Sequence, residues 1–115
     1  MKTLELDHYQ AEALRTSGNL KRFDNESMAI CALGIAGEAG EVADMIKKVV
    51  GHGHALDVPK LLKEIGDVLW YAALLSELVD AKLSQVAQLN IDKLRARYPD
   101  GFTQEASKNR KDETK

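Results

Sequence analysis

The sequence predicts an all-α protein, and three observations support that fold class. Apolar residues recur with the 3.6-residue period of a helix through most of the chain. β-branched residues are sparse and never alternate with polar residues over five positions, which argues against strands. Glycine, proline and capping side chains separate segments of helical length. We therefore expect a bundle of four to five helices.

Capping signals set the ends of the predicted helices. Asp7 with Gln10 three residues later has the pattern of a capping box. Asp57 is followed by Pro59 in the first turn, and Gly51 follows an apolar periodic segment, as expected at a helix end. Asn25 or Ser27 is expected to cap the second helix and Ser84 the fourth. The predicted helices cover residues 6–15, 25 or 27 to 50, 57–79 and 84–98.

Length and composition indicate one ordinary globular domain. The chain has 115 residues, 44% of them hydrophobic and 30% charged. We assign residues 1–102 to a single helical domain. Residues 103–115 lack apolar periodicity and are predicted to be a disordered polar tail.

Charge and hydropathy exclude several functional classes. A net charge of −2 argues against a protein that binds nucleic-acid duplexes, which usually carries a basic excess. No segment approaches the ~20 apolar residues of a membrane span, so no membrane partner is expected. Cys31 is the one cysteine and allows no internal disulfide, which fits a cytoplasmic location.

The second predicted helix carries two carboxylates on its apolar side. At about 100° per residue, Glu38 and Glu41 project among apolar residues that include Cys31, Ile35 and Val42. Uncompensated carboxylates in a core cost several kcal/mol each. This arrangement therefore requires a partner that neutralises the charge.

The third predicted helix carries a matching acidic pair. Glu64 and Asp67 share a helical face with Leu61, Val68 and Tyr71. If the two helices pack through these faces, four carboxylates converge and repel one another unless a cation lies between them. Oxygen ligands favour Mg²⁺ or Mn²⁺ over Zn²⁺. The sequence therefore predicts a site for a divalent cation.

Simpler explanations account less well for the two acidic pairs. A single acidic pair usually marks a solvated helix face. The lysines nearest the pairs project away from the acidic stripe or to its edge, and they are Lys47, Lys48 and Lys63. His52 and His54 lie in a glycine-rich turn without a third nitrogen or sulfur ligand nearby, so no histidine metal site is expected. Glycines inside the second helix indicate either close approach of another backbone or room for a ligand. These glycines are Gly34, Gly37 and Gly40.

The acidic pairs resemble the signature of the all-α nucleoside triphosphate pyrophosphohydrolases. In that signature E-x-x-E is followed, here after 22 residues, by E-x-x-D. The chain is most similar to the MazG-like group, over residues 9–102. The segments that carry the similarity are GEAGEVADMIKK, EIGDVLWY and NIDKLRARYPDGF. Many relatives have a glutamate at the position of Gly37, and its loss here implies a change in metal number or water binding.

The resemblance implies a reaction and a set of site residues. Such enzymes bind Mg²⁺ through four carboxylates, here Glu38, Glu41, Glu64 and Asp67, and split a nucleoside triphosphate between the α- and β-phosphates. They act as homodimers or homotetramers. We expect Glu41 to accept the proton of the attacking water. The residues expected to bind substrate are Lys47, Lys48, Tyr71, Asn90, Lys93 and Arg97, of which Lys93 and Arg97 would stabilise the pyrophosphate leaving group.

Two alternatives remain open at this point. One is a related enzyme with a narrow substrate, such as dUTP, dCTP or phosphoribosyl-ATP. The other is a non-catalytic helical module that binds a metal or a protein partner. Trp70 projects elsewhere on the third helix and is interpreted as a core or interface residue.

Overall fold

The computed structural model describes residues 2–110, and this part of the chain is all-helical. No strand occurs within these residues, so the predicted fold class is confirmed. A 3₁₀ turn, Leu14–Thr16, follows the first helix. The helices are α1 (Leu6–Ala13), α2 (Asn25–His52), α3 (Val58–Leu78), α4 (Leu83–Arg97) and α5 (Gln104–Asn109).

The chain divides into two compact units, Met1–Leu83 and Ser84–Lys115. The first unit contains α1, α2 and α3, and the second contains nearly all of α4 together with α5. The boundary falls inside the region 1–102 that the sequence analysis assigned to one domain, and that assignment remains a prediction. None of the helices within residues 2–110 has the length and hydrophobicity needed to cross a bilayer.

Local hydrogen bonds explain where α2 and α3 begin. Asp24, not Asn25 or Ser27, is the N-cap of α2, and its carboxylate accepts a hydrogen bond from the Ser27 backbone N–H at 2.9 Å. Bonds from the backbone and hydroxyl of Ser27 also lower the pKa of Asp24. Asp57 is confirmed as the N-cap of α3, because its carboxylate accepts from the backbone N–H of Lys60 at 3.1 Å.

Two other predicted helix ends are wrong. Helix α2 continues past Gly51 to His52, because Gly53, with φ of 71°, takes the left-handed conformation that ends it. Helix α1 begins after Glu5 with no side-chain cap, so Asp7 does not cap it. The side chain of Gln10 is buried and bonds elsewhere, which leaves no capping box.

The segment after Thr103 differs from the predicted disordered tail. Gln104–Asn109 form the short helix α5, whose first turn is capped by the Thr103 hydroxyl at 3.0 Å from the Ala106 N–H. This capping bond satisfies one of the N–H groups in the first turn of the helix. The remainder of the predicted tail, residues 111–115, lies outside the described residues.

The core of the first unit is small. Helices α2 and α3 pack against each other, with α1 against α3. Among residues 2–110, six hydrophobic side chains are buried, in two clusters that both contact Trp70. They are Ala13, Cys31, Ala73, Leu74, Leu78 and Leu83.

Gln10 attaches α1 to the segment that follows α3. Its side chain is 2% exposed, and its amide donates to the Ala81 carbonyl at 2.9 Å and to the Glu77 carboxylate at 3.0 Å. Its carbonyl accepts from the Leu83 N–H at 2.6 Å. These bonds satisfy the buried polar groups on both sides and fix α1 beside α3.

One face of α3 remains apolar and exposed. Four large hydrophobic side chains lie at positions i, i+4, i+7 and i+11, which share one face of a helix. We call this set the α3 stripe. Its members are Val58, Leu62, Ile65 and Leu69.

Candidate metal centre and adjoining cleft

Three of the four predicted metal ligands converge between α2 and α3. One carboxylate oxygen from each of Glu38, Glu64 and Asp67 lies within 4.8 Å of the others. Glu64 and Asp67 are three residues apart on α3 and therefore project side by side. Glu38 reaches them from α2. We call these three residues the carboxylate cluster.

The electrostatics of the cluster favour a bound cation. Burial raises the pKa of Glu38, and the negative charges of Asp67, Glu64 and Glu41 raise it further. Within residues 2–110, none of the three clustered carboxylates has an ion-pair partner. Three uncompensated oxygen ligands are the donor set that Mg²⁺ or Mn²⁺ prefers, so these residues fit a hard divalent cation.

Glu41 lies outside this cluster. Its side chain is exposed and lines a groove of about 360 Å³ that also contains Lys48, His54 and Glu64. Glu64 therefore faces both the groove and the carboxylate cluster. Glu41 adds to the negative field at Glu38 without joining the converging oxygens.

The two predicted substrate lysines of α2 share one partner. Lys47 and Lys48 each place the ammonium nitrogen 2.9 Å from a carboxylate oxygen of Asp44. These bonds lower the pKa of Asp44 to about 2, and the bond that Lys48 donates to Asp44 raises the pKa of Lys48. Both lysines are thus held on the surface of α2 by Asp44.

The glycines of α2 have different environments. A Cβ atom at Gly34 would overlap the ring of Tyr71, so a side chain, and not a backbone, makes the close approach there. Gly37 and Gly40 have nothing within 4 Å of a built Cβ. Gly34 is therefore required for the position of Tyr71, while the other two leave open space beside the acidic residues.

A cleft of about 760 Å³ adjoins the carboxylate cluster. Three aromatic rings form much of its wall, and two of the clustered carboxylates are at its edge. We call it the aromatic cleft. It is lined by Tyr9, Thr16, Glu38, Lys63, Gly66, Asp67, Trp70 and Tyr71.

Trp70 belongs both to the core and to the aromatic cleft, whereas the sequence indicated only a core or interface position. It contacts both core clusters, in agreement with a core position, and it also lines the aromatic cleft. Its indole N–H donates to the Thr16 hydroxyl at 3.1 Å. Its ring meets the Tyr71 ring edge-on, with centroids 4.9 Å apart.

Tyr9 and Thr16 are cleft residues that the sequence analysis missed. The Tyr9 hydroxyl donates to the Gly66 carbonyl at 3.5 Å, and burial, followed by the charge of Asp67, raises the pKa of Tyr9. The spacing of Leu6, Tyr9 and Ala13 places all three on one face of α1, which was an available signal. Thr16 lies in a turn and has no such signal.

The predicted basic residues lie in the second unit. Asn90, Lys93 and Arg97 are at positions i, i+3 and i+7 of α4 and share one helical face. Asn90 and Lys93 are exposed. Arg97 is half-buried, and its guanidinium carbon lies 5.9 Å from the centre of the Tyr98 ring.

The geometry defines a class of protein, an all-α chain whose carboxylates converge from two adjacent helices on one candidate cation site. The chain belongs to the MazG nucleotide pyrophosphohydrolase domain family, whose model matches residues 26–102. This match confirms the resemblance noted in the sequence. At the level of the family, it assigns nucleotide pyrophosphohydrolysis as the general activity and a divalent metal as the usual requirement.

One curated protein is similar to this chain over most of its length. The chain is similar to the Gene 37 protein of Mycobacterium phage L5, with 36% identity over 89 residues. That alignment covers 74% of this chain and 78% of the relative. The relative's name does not describe an activity. No solved structure matches the chain.

Proposed function

We propose that this protein is a Mg²⁺-dependent hydrolase that cleaves nucleoside or deoxynucleoside triphosphates to the monophosphate and pyrophosphate. The observation that carries the proposal is the convergence of Glu38, Glu64 and Asp67 within 4.8 Å. Membership of the MazG family supports the reaction class. In the cytoplasm, the activity would remove aberrant nucleotides or control nucleotide pools.

The carboxylate cluster would hold the cation, with Mn²⁺ as a substitute for Mg²⁺. When bound, the ion supplies positive charge that neutralises the triphosphate and makes its phosphorus more electrophilic. Glu64 and Asp67 fix two ligands on the rigid helix α3, while Glu38 provides a third from α2. The protein thereby fixes the position of the triphosphate without forming a covalent bond to it.

Glu41 is the proposed proton acceptor. In the proposed reaction, a water oxygen bonds to the α-phosphorus, the bond to the bridging oxygen breaks, and pyrophosphate leaves. The proton of the water passes to a Glu41 carboxylate oxygen. The position of Glu41 beside the cluster, with its side chain exposed to solvent, supports this role.

The remaining predicted residues are assigned to the substrate. We propose that Lys93 and Arg97 stabilise the charge on the leaving pyrophosphate and that Asn90 bonds to the sugar or base. Lys47 and Lys48 would contribute after exchanging Asp44 for phosphate oxygens. Tyr71, which lines the aromatic cleft, would contact the nucleoside.

We also propose that the protein acts as a homodimer or homotetramer. The small core and the exposed α3 stripe support this assignment, because monomers seldom expose an extended apolar helix face. A second copy of the chain would cover the stripe.

The proposed function is tested by measuring pyrophosphate release from all common NTPs and dNTPs with Mg²⁺, with Mn²⁺ and with EDTA. Release with a monophosphate product is expected with metal and not with EDTA. Glu38→Gln and Asp67→Asn should each lower turnover at least 100-fold, because each removes a charged ligand. Helical content by circular dichroism should stay near wild type.

Glu12→Gln is the matched control, since Glu12 is an exposed α1 carboxylate remote in sequence from the acidic pairs. It should retain full activity. Full activity in Glu38→Gln or Asp67→Asn would refute the metal assignment. A folded wild-type protein that binds Mg²⁺ and releases no pyrophosphate from any nucleotide would favour the non-catalytic module.

A further inference from the structure

The aromatic cleft contains groups that the metal chemistry does not use. Tyr9, Trp70 and Tyr71 present three rings around a space of about 760 Å³. Flat aromatic walls of this kind suit a planar ring system, because stacking contributes to the binding of every nucleobase. The cleft is therefore suited to a ligand with a planar unsaturated ring.

The cleft lies next to the carboxylate cluster, where the triphosphate is proposed to bind. Glu38 and Asp67 are members of the carboxylate cluster and also line the cleft. A nucleotide whose phosphates are held at the cluster therefore has the aromatic cleft directly beside them. The nucleoside is the part of that substrate which the cleft can accept.

Helix α1 and its following turn close one side of the cleft. Tyr9 reaches the Gly66 carbonyl with its hydroxyl, at the long distance of 3.5 Å, so this weak bond is easily exchanged for one to a ligand. Thr16 accepts the indole N–H of Trp70 and so fixes the plane of the indole. Both residues precede the 26–102 region that the family model matches.

We propose that Tyr9 is a specificity-determining residue that contacts the nucleobase of the substrate, with Thr16 as the residue that positions Trp70 against the same base. This inference rests on the proposed function, because it assumes that a nucleotide is the ligand of the carboxylate cluster. The Tyr9 ring supplies a stacking surface, and its hydroxyl donates a hydrogen bond to a base or sugar oxygen.

The test compares nucleotides with methyl triphosphate, which has the same reacting phosphates and no base. Tyr9→Ala should raise KM for the preferred nucleotide about 10-fold, because the loss of one stacked ring weakens binding by this order. It should leave kcat within about twofold of the wild-type value. It should also reduce the differences in KM between nucleotides with different bases. Hydrolysis of methyl triphosphate should not change.

A second variant and a control keep the result interpretable. Tyr9→Leu retains apolar packing against the cluster of Ala13, Ala73 and Leu83 while removing the ring, and it should show the same rise in KM. His8→Ala changes an exposed neighbour on α1 and should behave as wild type. A wild-type KM in folded Tyr9→Ala or Tyr9→Leu would overturn the inference.

Trp70 gives a readout that does not depend on turnover. It is the chain's single tryptophan, so all tryptophan fluorescence comes from a side chain that lines the cleft. Nucleoside monophosphates should quench it, and this quenching should need about 10-fold more ligand in Tyr9→Leu. Absence of turnover in the wild type would refute the proposed function, while equal quenching titrations in wild type and Tyr9→Leu would refute the role of Tyr9.

Discussion

Gly34 and Gly37 lie one turn apart on α2 and differ in what a methyl group would meet. At Gly34 the methyl group overlaps the Tyr71 ring, whereas at Gly37 it has no neighbour within 4 Å. The same substitution should therefore change the free energy of unfolding in opposite directions at the two sites.

Gly34→Ala is expected to destabilise the protein by about 1–3 kcal/mol, the usual cost of overpacking. Gly37→Ala should stabilise it by up to about 1 kcal/mol, because alanine is the better helix former. Thermal or urea unfolding measures both. Equal shifts in the two variants would show that Tyr71 moves aside without cost and that Gly34 is not required for its position.

The sequence predicted the positions of some site residues and not of others. Glu38, Glu64 and Asp67 were predicted to converge, because helical geometry and the facing of two consecutive helices determine their positions. The exclusion of Glu41 from the cluster depends on the exact rotation of α2 against α3. Sequence periodicity does not specify that rotation to within one side chain.

At the scale of single elements, α1 depends on one buried side chain. It has eight residues, which is too short for a stable helix in water, so its attachment must come from tertiary contacts. Gln10 supplies bonds to Ala81, Leu83 and Glu77. Truncation of this side chain leaves a buried N–H and a buried carbonyl without partners.

Gln10→Ala is therefore expected to lower the free energy of unfolding by about 2 kcal/mol or more, since each unsatisfied buried group costs about 1–3 kcal/mol. Glu12→Ala on the same helix removes only exposed ion pairs, with Arg15 and His8, and should stay within about 0.5 kcal/mol of wild type. Urea denaturation followed by circular dichroism compares the two. A Gln10→Ala midpoint equal to that of Glu12→Ala would contradict the anchoring role.

Elements also differ in how far their sequences predict them. Helices α2 and α3 were predicted almost to their ends because their apolar periodicity is long and Asp57 provides a local cap. The role of Gln10 was not predictable, since its partners lie about 70 positions away in the sequence. Helix α5 was missed because it has no apolar stripe, and the Thr103 hydroxyl that caps it is a weak signal in the sequence.

At the scale of the whole molecule, the first unit combines a small buried core with an apolar helix face that is exposed. Leu62 in the α3 stripe is 61% exposed and has three apolar neighbours along the same face. Burial of such a stripe against a second copy would remove it from water, at about 25 cal/mol for each Å² buried.

We expect wild-type protein to form a dimer or tetramer at micromolar concentration and Leu62→Glu to shift it toward the monomer, because a charge would be buried without a partner. Leu4→Glu places the same charge on a similarly exposed leucine outside the helices and should leave the assembly intact. Light scattering reports the mass. A monomeric wild type, or an unchanged mass for Leu62→Glu, would contradict the predicted assembly surface.

The alkylation rate of Cys31 measures how often the interior of the protein opens. It is the only thiol in the sequence, its side chain has no exposed surface, and burial raises its pKa. An alkylating reagent reaches the sulfur only during transient separation of α2 from α3, so the labelling rate reports how often that happens. Slower labelling in the presence of a nucleotide would show that a ligand beside the carboxylates restrains the same helix pair.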